Sequence, residues 1–355
     1  MTNNSFSEQV RAIKRANWEY WPTMAFYWPM WVYGPLLALR YGHPCFFSAA
    51  NPSMYISGLG LESKFQTLRL IPDTVRPKSV LLPAHAASTD ILRLLQTAGL
   101  AFPMVVKPDI GFRGLLVAKV ASLEALLHRI QGYSIDFIAQ EWLDYPEEAG
   151  VFYRRFPGEA RGEVLSLTLK SFLAVRGDGT ACVRELMVRH PRAMTQFSRV
   201  AFENPGLLEY IPADGELVSL GHIGNHSKGT RFISGMHLID EELHAVFDQL
   251  AGEIPGFYYG RFDIKYQSME ALKKGKGFKV IELNGIGAEP THIYDQTQNT
   301  YLGALWTIMR YWAMVGKISA ANHRRGVAYI PAIPMLKALA SLRSYLRALK
   351  RAGKD

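Results

Sequence analysis

The sequence has 355 residues, 48% of them hydrophobic, and a formal net charge of +9. That length exceeds one small core and suits roughly two or three subdomains, and the apolar content excludes wholesale disorder. Two cysteines, Cys45 and Cys182, supply neither a disulfide framework nor a zinc ligand set.

The cysteines read as core or surface thiols of a reducing compartment. The first ten residues show no secretory n-region and apolar core. A cytoplasmic protein is therefore expected. The charge favours anionic partners such as nucleotides or anionic lipid. No basic run is interleaved with exposed aromatics in the manner of a nucleic-acid module, so nucleic acid is not an expected partner.

Residues 21–39 carry no charge, and Trp18, Tyr20, Trp21, Phe26, Tyr27, Trp28, Trp31 and Tyr33 crowd this region. Pro22, Pro29 and Pro35 make a straight spanning helix awkward. The segment reads first as an aromatic element packed on the main domain. A peripheral contact at the inner face of the membrane comes second, and a span last.

Residues 61–71 read as a short helix with Leu61, Phe65 and Leu68 on one face. A strand is expected at 79–84, and a helix at 88–98 between Ser88 or Thr89 and Gly99. The strand at 102–108 ends in Lys107-Pro108 and runs into a turn containing Gly111 and Gly114. A lysine followed by such a turn suits phosphate oxygens, although the Walker A spacing is absent. A strand (114–120), a helix capped by Ser122 (122–131) and a strand (137–143) follow.

Next, "EVLSLTLKSFLAV" and "TACVRELMV" flank Asp178-Gly179 and predict a β-hairpin. Residues 204–230 predict a long functional loop, and 240–251 a helix. Strands are expected at 260–266 and 278–284, and an apolar helix at 297–316. The tail is a basic amphipathic helix with Leu336, Leu339, Leu342, Leu346 and Leu349 as its stripe. It reads as a helix docked on its own domain or lying on a membrane surface.

In "GRFDIKY", Arg261 and Asp263 share a face, and in "VIELN" so do Glu282 and Asn284. A buried carboxylate needs a partner. If the two strands pair as a hairpin, Asp263, Glu282 and Asn284 converge as oxygen ligands suited to Mg2+, with Mn2+ as the alternative. Arg261 beside them suits a phosphate or a developing oxyanion. The plain alternative is a salt-bridged sheet surface in which Arg261 pairs with Asp263.

The order of these pieces resembles the ATP-grasp superfamily, in its D-alanine–D-alanine ligase-like branch, over roughly residues 60–315. The resemblance implies an α+β fold in which two lobes sandwich ATP, preceded by a short aromatic segment and followed by a basic helix. It implies units at about 1–60, 61–145, 146–316 and 317–355. It makes Lys107 and, at the head of the "ESKF" helix, Lys64 phosphate contacts, with Gly111 and Gly114 in the covering loop. "QEWL" matches the adenine-side strand through Gln140, Glu141 and Leu143, and Glu148, with Glu147 next, takes the ribose. Asp263, Glu282 and Asn284 hold the metal, and Arg261 the oxyanion.

Lys228 and Arg231 would bind the substrate carboxylate or the γ-phosphate. His222 and His226 are candidate bases in the loop 221–231, and Glu289 and His292 face the acceptor. Residues 46–60 would be a remnant strand and loop. The expected activity is ATP-dependent activation of a small-molecule carboxylate and its joining to an amine. A kinase on the same scaffold and a non-catalytic nucleotide-binding protein at a membrane are the competing readings.

Overall fold

The computed structural model describes residues 3–111, 114–221, 224 and 228–352. Helices α1 (Asn3–Ala16), α2 (Thr23–Phe26) and α3 (Met30–Tyr41) open the chain. The first lobe holds α4 (Lys64–Arg69), β1 (Ser79–Leu82), α5 (Ser88–Thr97), β2 (Met104–Pro108), β3 (Ala118–Val120), α6 (Leu123–Ile130) and β4 (Phe137–Glu141). Its sheet has the order β1-β4-β2-β3, all antiparallel. Met104 and Val106 of β2 pack with Ile91, Leu95 and Leu126 of α5 and α6. The two-residue period therefore turns Val105 and Lys107 to the opposite face.

The second lobe begins with β5 (Glu147–Arg154), β6 (Glu163–Ser171) and β7 (Ala174–Arg176). Helices α7 (Val183–Arg189), α8 (Pro191–Met194) and α9 (Phe197–Glu203) follow, then β8 (Leu217–Ser219) and β9 (Arg231–Ser234). Helix α10 (Glu241–Gly252), β10 (Tyr259–Tyr266), α11 (Met269–Lys273) and β11 (Phe278–Asn284) complete it. Its antiparallel sheet runs β11-β10-β5-β6-β9. Phe262, Ile264, Val280 and Leu283 pack with Phe247 and Leu250 of α10 in the largest core cluster. The other face of the sheet is polar at its centre.

Helix α12 (Tyr301–Arg324) and helix α13 (Ala332–Ala352) end the chain. The aromatic segment packs on α12: Trp18, Phe26, Ile293 and Ile308 form one cluster, and Glu19 takes Arg192 of α8 at 2.7 and 2.9 Å. Among the described residues no helix is long and apolar enough to cross a membrane. The tail docks through Met335, which packs with Cys45 and Ile56, and through buried Leu349, whereas Leu336 faces outward.

Expectations fail at two places and in part at a third, since a 3-10 turn at Pro205–Glu209 and β8 fall within the predicted loop 204–230. The predicted hairpin around Asp178-Gly179 is replaced by a turn into α7. The Asp178 carboxylate accepts from the N–H groups of Thr180 and Ala181, and Cys182 and Glu185 form a capping box. Side-chain capture of these donors starts a helix where a second strand was expected, and β7 pairs with distant β8. Residues 46–60 hold no strand. They form short 3-10 turns at Phe46–Ala49 and Tyr55–Ser57.

Candidate active site

Strands β10 and β11 pair with Arg261 opposite Asn284 and Asp263 opposite Glu282. The register then slips, so Ile264 faces Val280 and Ile281 is an extra residue on β11. This bulge lets Val280 and Leu283 both enter the core while Glu282 and Asn284 stay on the polar face. It also turns the Ile281 carbonyl toward Lys107, whose ammonium donates to it at 3.1 Å and to Gln140 Oε1 at 3.1 Å.

On the polar face, Arg261 donates twice to Asp263, at 3.0 and 2.8 Å, and once to the Glu289 carbonyl at 2.8 Å. Asn284 Nδ2 donates to Asp263 Oδ2 at 3.0 Å. Lys170 of β6 bridges Glu148 at 2.6 Å and Asp263 at 3.3 Å. Lys64, the first residue of α4, pairs with Glu282. Ser63 caps α4, and both the Ser63 hydroxyl and the Phe65 N–H donate to Asp109, which ties the helix start to the turn after β2.

The electrostatics follow from this pairing. Burial pushes Asp263 up, but Arg261 and Lys170 outweigh it and hold the carboxyl well below the usual range. Burial likewise raises Glu282, and Lys64 with Lys107 brings it below its ordinary value. Lys107 is pushed down to about 8, chiefly by burial, with Lys64 adding repulsion.

A cavity of about 910 Å3 lies between the lobes. Lys64, Lys107, Gly111, Gly114, Gln140, Glu141, Leu143, Glu148, Lys228, Arg261, Asp263, Glu282 and Asn284 all line it. Some arrive with partners the sequence did not suggest. The Glu141 N–H bonds the Lys78 carbonyl, so that donor is not free for a base. Glu148 is held by Lys170 and covered by Gly224, where an added Cβ would come within 2.2 Å of Oε1. Lys228 pairs with Glu203 at 2.9 Å.

Arg231 stands apart and does not line the cavity. It is exposed at the start of β9, and its neighbour Phe232 takes the cavity face, so the period of two sends Arg231 the other way. His292 is buried outside the cavity lining and pushed down to about 4 by burial, which keeps it neutral. His222 and His226 lie outside the described residues, as do Phe112 and Arg113 of the glycine loop.

The sequence reading missed Lys170, the two lysines near the Trp142 ring, and the aromatic wall. Lys119 Nζ lies 3.9 Å and Lys265 Nζ 5.5 Å from the centre of the Trp142 ring. Trp18, Trp21, Phe26 and Tyr27 line the far end of the cavity with Tyr294. There Glu289 accepts from Tyr27 and, at 2.8 Å, from Tyr294. The signal for Lys170 was present: Ser166, Thr168 and Lys170 alternate with Leu165, Leu167 and Leu169.

The glycines after Asn284 also have a physical reason. The N–H groups of Ile286 and Gly287 bond the carbonyls of Ser57 and Gly58 at 3.0 and 2.8 Å. A Cβ at Gly285 would come within 2.2 Å of the Ser57 oxygen. Backbone crosses backbone there, and only glycine leaves room.

Asp263, Glu282 and Asn284 offer adjacent oxygen donors, and no group of three or more His, Cys, Asp or Glu able to hold a metal occurs among the described residues. Two carboxylates and an amide fit Mg2+, which keeps waters and takes phosphate oxygens. They do not fit zinc.

No family model matches the sequence, and no curated protein matches it. Three of the solved structures to which the chain is similar are as follows. A bifunctional glutathione synthetase from Pasteurella multocida is 18% identical, with a TM-score of 0.38, over 70% of this chain and 36% of that one. A D-Ala:D-Ser ligase from Enterococcus faecalis is 13% identical, TM-score 0.41, over 73% of this chain and 64% of that one. A D-alanine–D-alanine ligase from Bacillus anthracis is 14% identical, TM-score 0.40, over 75% of this chain and 71% of that one. The chain thus spans about a third of the synthetase and just under two thirds of the D-Ala:D-Ser ligase. Likeness this distant carries no substrate or activity across.

Proposed function

We propose that the protein is an ATP-dependent ligase that activates a carboxylate as an acyl phosphate and joins it to an amine. The observation that carries this reading is the meeting of Lys64, Lys107, Lys170 and Arg261 with Asp263, Glu282 and Asn284 in one cavity between two sheets. Such a site suits a polyphosphate with its counter-cation: buried cations take phosphate oxygens, and carboxylates take the metal.

In this reading Lys64 and Lys107 hold the phosphates, and the backbone around Gly111 and Gly114 covers them. Gln140, Glu141, Leu143 and Trp142 border the base, and Glu148 the ribose. Asp263, Glu282 and Asn284 would hold Mg2+ or Mn2+, which when bound neutralises charge on the phosphate oxygens. The substrate carboxylate attacks the γ-phosphorus of ATP, and ADP leaves. The amine then attacks the acyl carbon, phosphate leaves with the C–O bonding pair, and the amine loses a proton. Arg261 stabilises the oxyanion of that second step. Lys228 is the cation for the substrate carboxylate; Arg231 has no part in it.

Incubation with ATP, Mg2+, a panel of carboxylic acids and hydroxylamine tests the reading. Hydroxylamine intercepts acyl phosphates, so the donor acid yields a hydroxamate together with ADP. ADP formation with a phosphorylated product that resists hydroxylamine would replace the ligase by a kinase.

A further inference from the structure

Helices α3 and α12 lie side by side and run the same way. The Tyr301 hydroxyl, at the start of α12, bonds the Phe26 carbonyl just ahead of α3 at 3.0 Å. Tyr41, at the end of α3, covers Gly316, where an added Cβ would come within 2.3 Å of its ring. Their inner faces bury Leu37, Leu305, Ile308 and Val315.

Their outer faces are not those of an ordinary solvated surface. Trp31 is 62% exposed and Trp306 63%, and Trp28, Val32, Leu36, Leu39 and Leu302 are each more than half exposed. Single exposed apolar residues are normal, but a contiguous group on two adjoining helices is a docking surface. Farther along the outer face of α12, at spacings of four and seven residues, come exposed Arg310, Lys317 and Arg324. Arg40 is exposed at the matching end of α3.

Charge identifies the occupant. No Asp or Glu occurs anywhere in residues 20–61 or 296–354, although the chain holds 31 of them. The acids are confined to the rest of the molecule, and this face is cationic with a tryptophan-rich apolar end. Tryptophan favours the membrane interface, and basic residues favour anionic headgroups.

We propose that this face docks on an anionic lipid bilayer. Trp28, Trp31 and Trp306 enter the interfacial layer, and Arg40, Arg310 and Lys317 meet headgroup phosphates. The contact is peripheral, since no described helix can span.

The test is sedimentation of the full chain with vesicles of phosphatidylcholine alone or mixed equally with phosphatidylglycerol, at low and high salt. Binding is expected only to the mixed vesicles and is weakened by salt. Arg310→Glu with Lys317→Glu should weaken it at least about 25-fold, about fivefold for each charge removed. Trp31→Ser with Trp306→Ser should abolish it while ATP turnover and the melting temperature stay at wild-type values. These four side chains lie outside the cavity, so the result is read independently of the ligase proposal. Absence of binding to mixed vesicles, or binding unchanged in the tryptophan variant, overturns the proposal. Dimerisation lost in the tryptophan variant, without vesicle binding, would assign the face to a second copy instead.

Discussion

The Lys107 ammonium and the Ile281 carbonyl, 174 residues apart, meet at 3.1 Å and join the two sheets across the cavity. Lys107 is the penultimate residue of a core strand, and Ile281 is the bulged residue of another. Burial pushes Lys107 down to about 8, so in the free protein its charge is lost as pH rises through that value. If Lys107 holds ATP phosphates, kcat/KM for ATP falls about tenfold per pH unit above 8. The pH–rate profile measures this. In Lys107→Arg, whose charge persists, the alkaline limb should vanish; an alkaline limb that remains unchanged would remove Lys107 from the phosphate site.

Asp263 anchors the cations of the second sheet. Its side chain is 5% exposed and balances both Arg261 and Lys170. Asp263→Asn leaves those cations short of a partner, which costs about 3 kcal/mol or more. The variant should therefore melt lower as well as lose ATP turnover. Glu282→Gln acts where the side chain is 28% exposed, so it should lose turnover at a smaller cost in stability. Because the Asp263 pKa is depressed from 3.8, its stabilisation is complete above that value and disappears as pH falls toward the lower folded-state value. Thermal melts of both variants between neutral and acid pH check the order.

Gly150 of β5 lies opposite Asp263, and an added Cβ there would come within 3.0 Å of Arg261 Cδ and 3.3 Å of Asp263 Oδ1. Gly150→Ala should displace the Arg261–Asp263 pair at a cost of about 1 kcal/mol. ATP turnover should fall by an order of magnitude or more while circular dichroism is unchanged. Wild-type turnover would mean that the pair's position is immaterial.

Tyr345 of α13 donates to the Ile110 carbonyl at 2.8 Å, next to Gly111. The tail thus ties down the backbone at Ile110, beside Gly111 of the cavity lining. Tyr345→Phe removes one hydrogen bond, worth about 1 kcal/mol. The expected result is a rise of about fivefold in KM for ATP with kcat nearly unchanged. Steady-state kinetics decides it.

Much of the site was legible in the sequence because strands repeat every two residues. Met104 and Val106 in the core require Lys107 on the other face, and Phe262 and Ile264 require Arg261 and Asp263 on theirs. The same rule misleads where nothing local says which face is which. Arg231 was expected in the site, yet Phe232 holds the cavity side of β9. Lys170 went unmarked because its role depends on β5 and β10, which bring Glu148 and Asp263 beside it. The turn at Asp178 failed for a different reason: side-chain capture of backbone donors outcompeted strand pairing.

By itself, the sequence determined which side chains each strand presents together and where acids are absent, because both depend only on neighbours along the chain. Tertiary structure decided the partners. The bulge at Ile281, the crossing of Gly285 over Ser57 and the placing of the aromatic segment at the end of the cavity all depend on contacts between distant residues. Those contacts are fixed by which apolar faces bury one another, and local residue order does not specify that pairing.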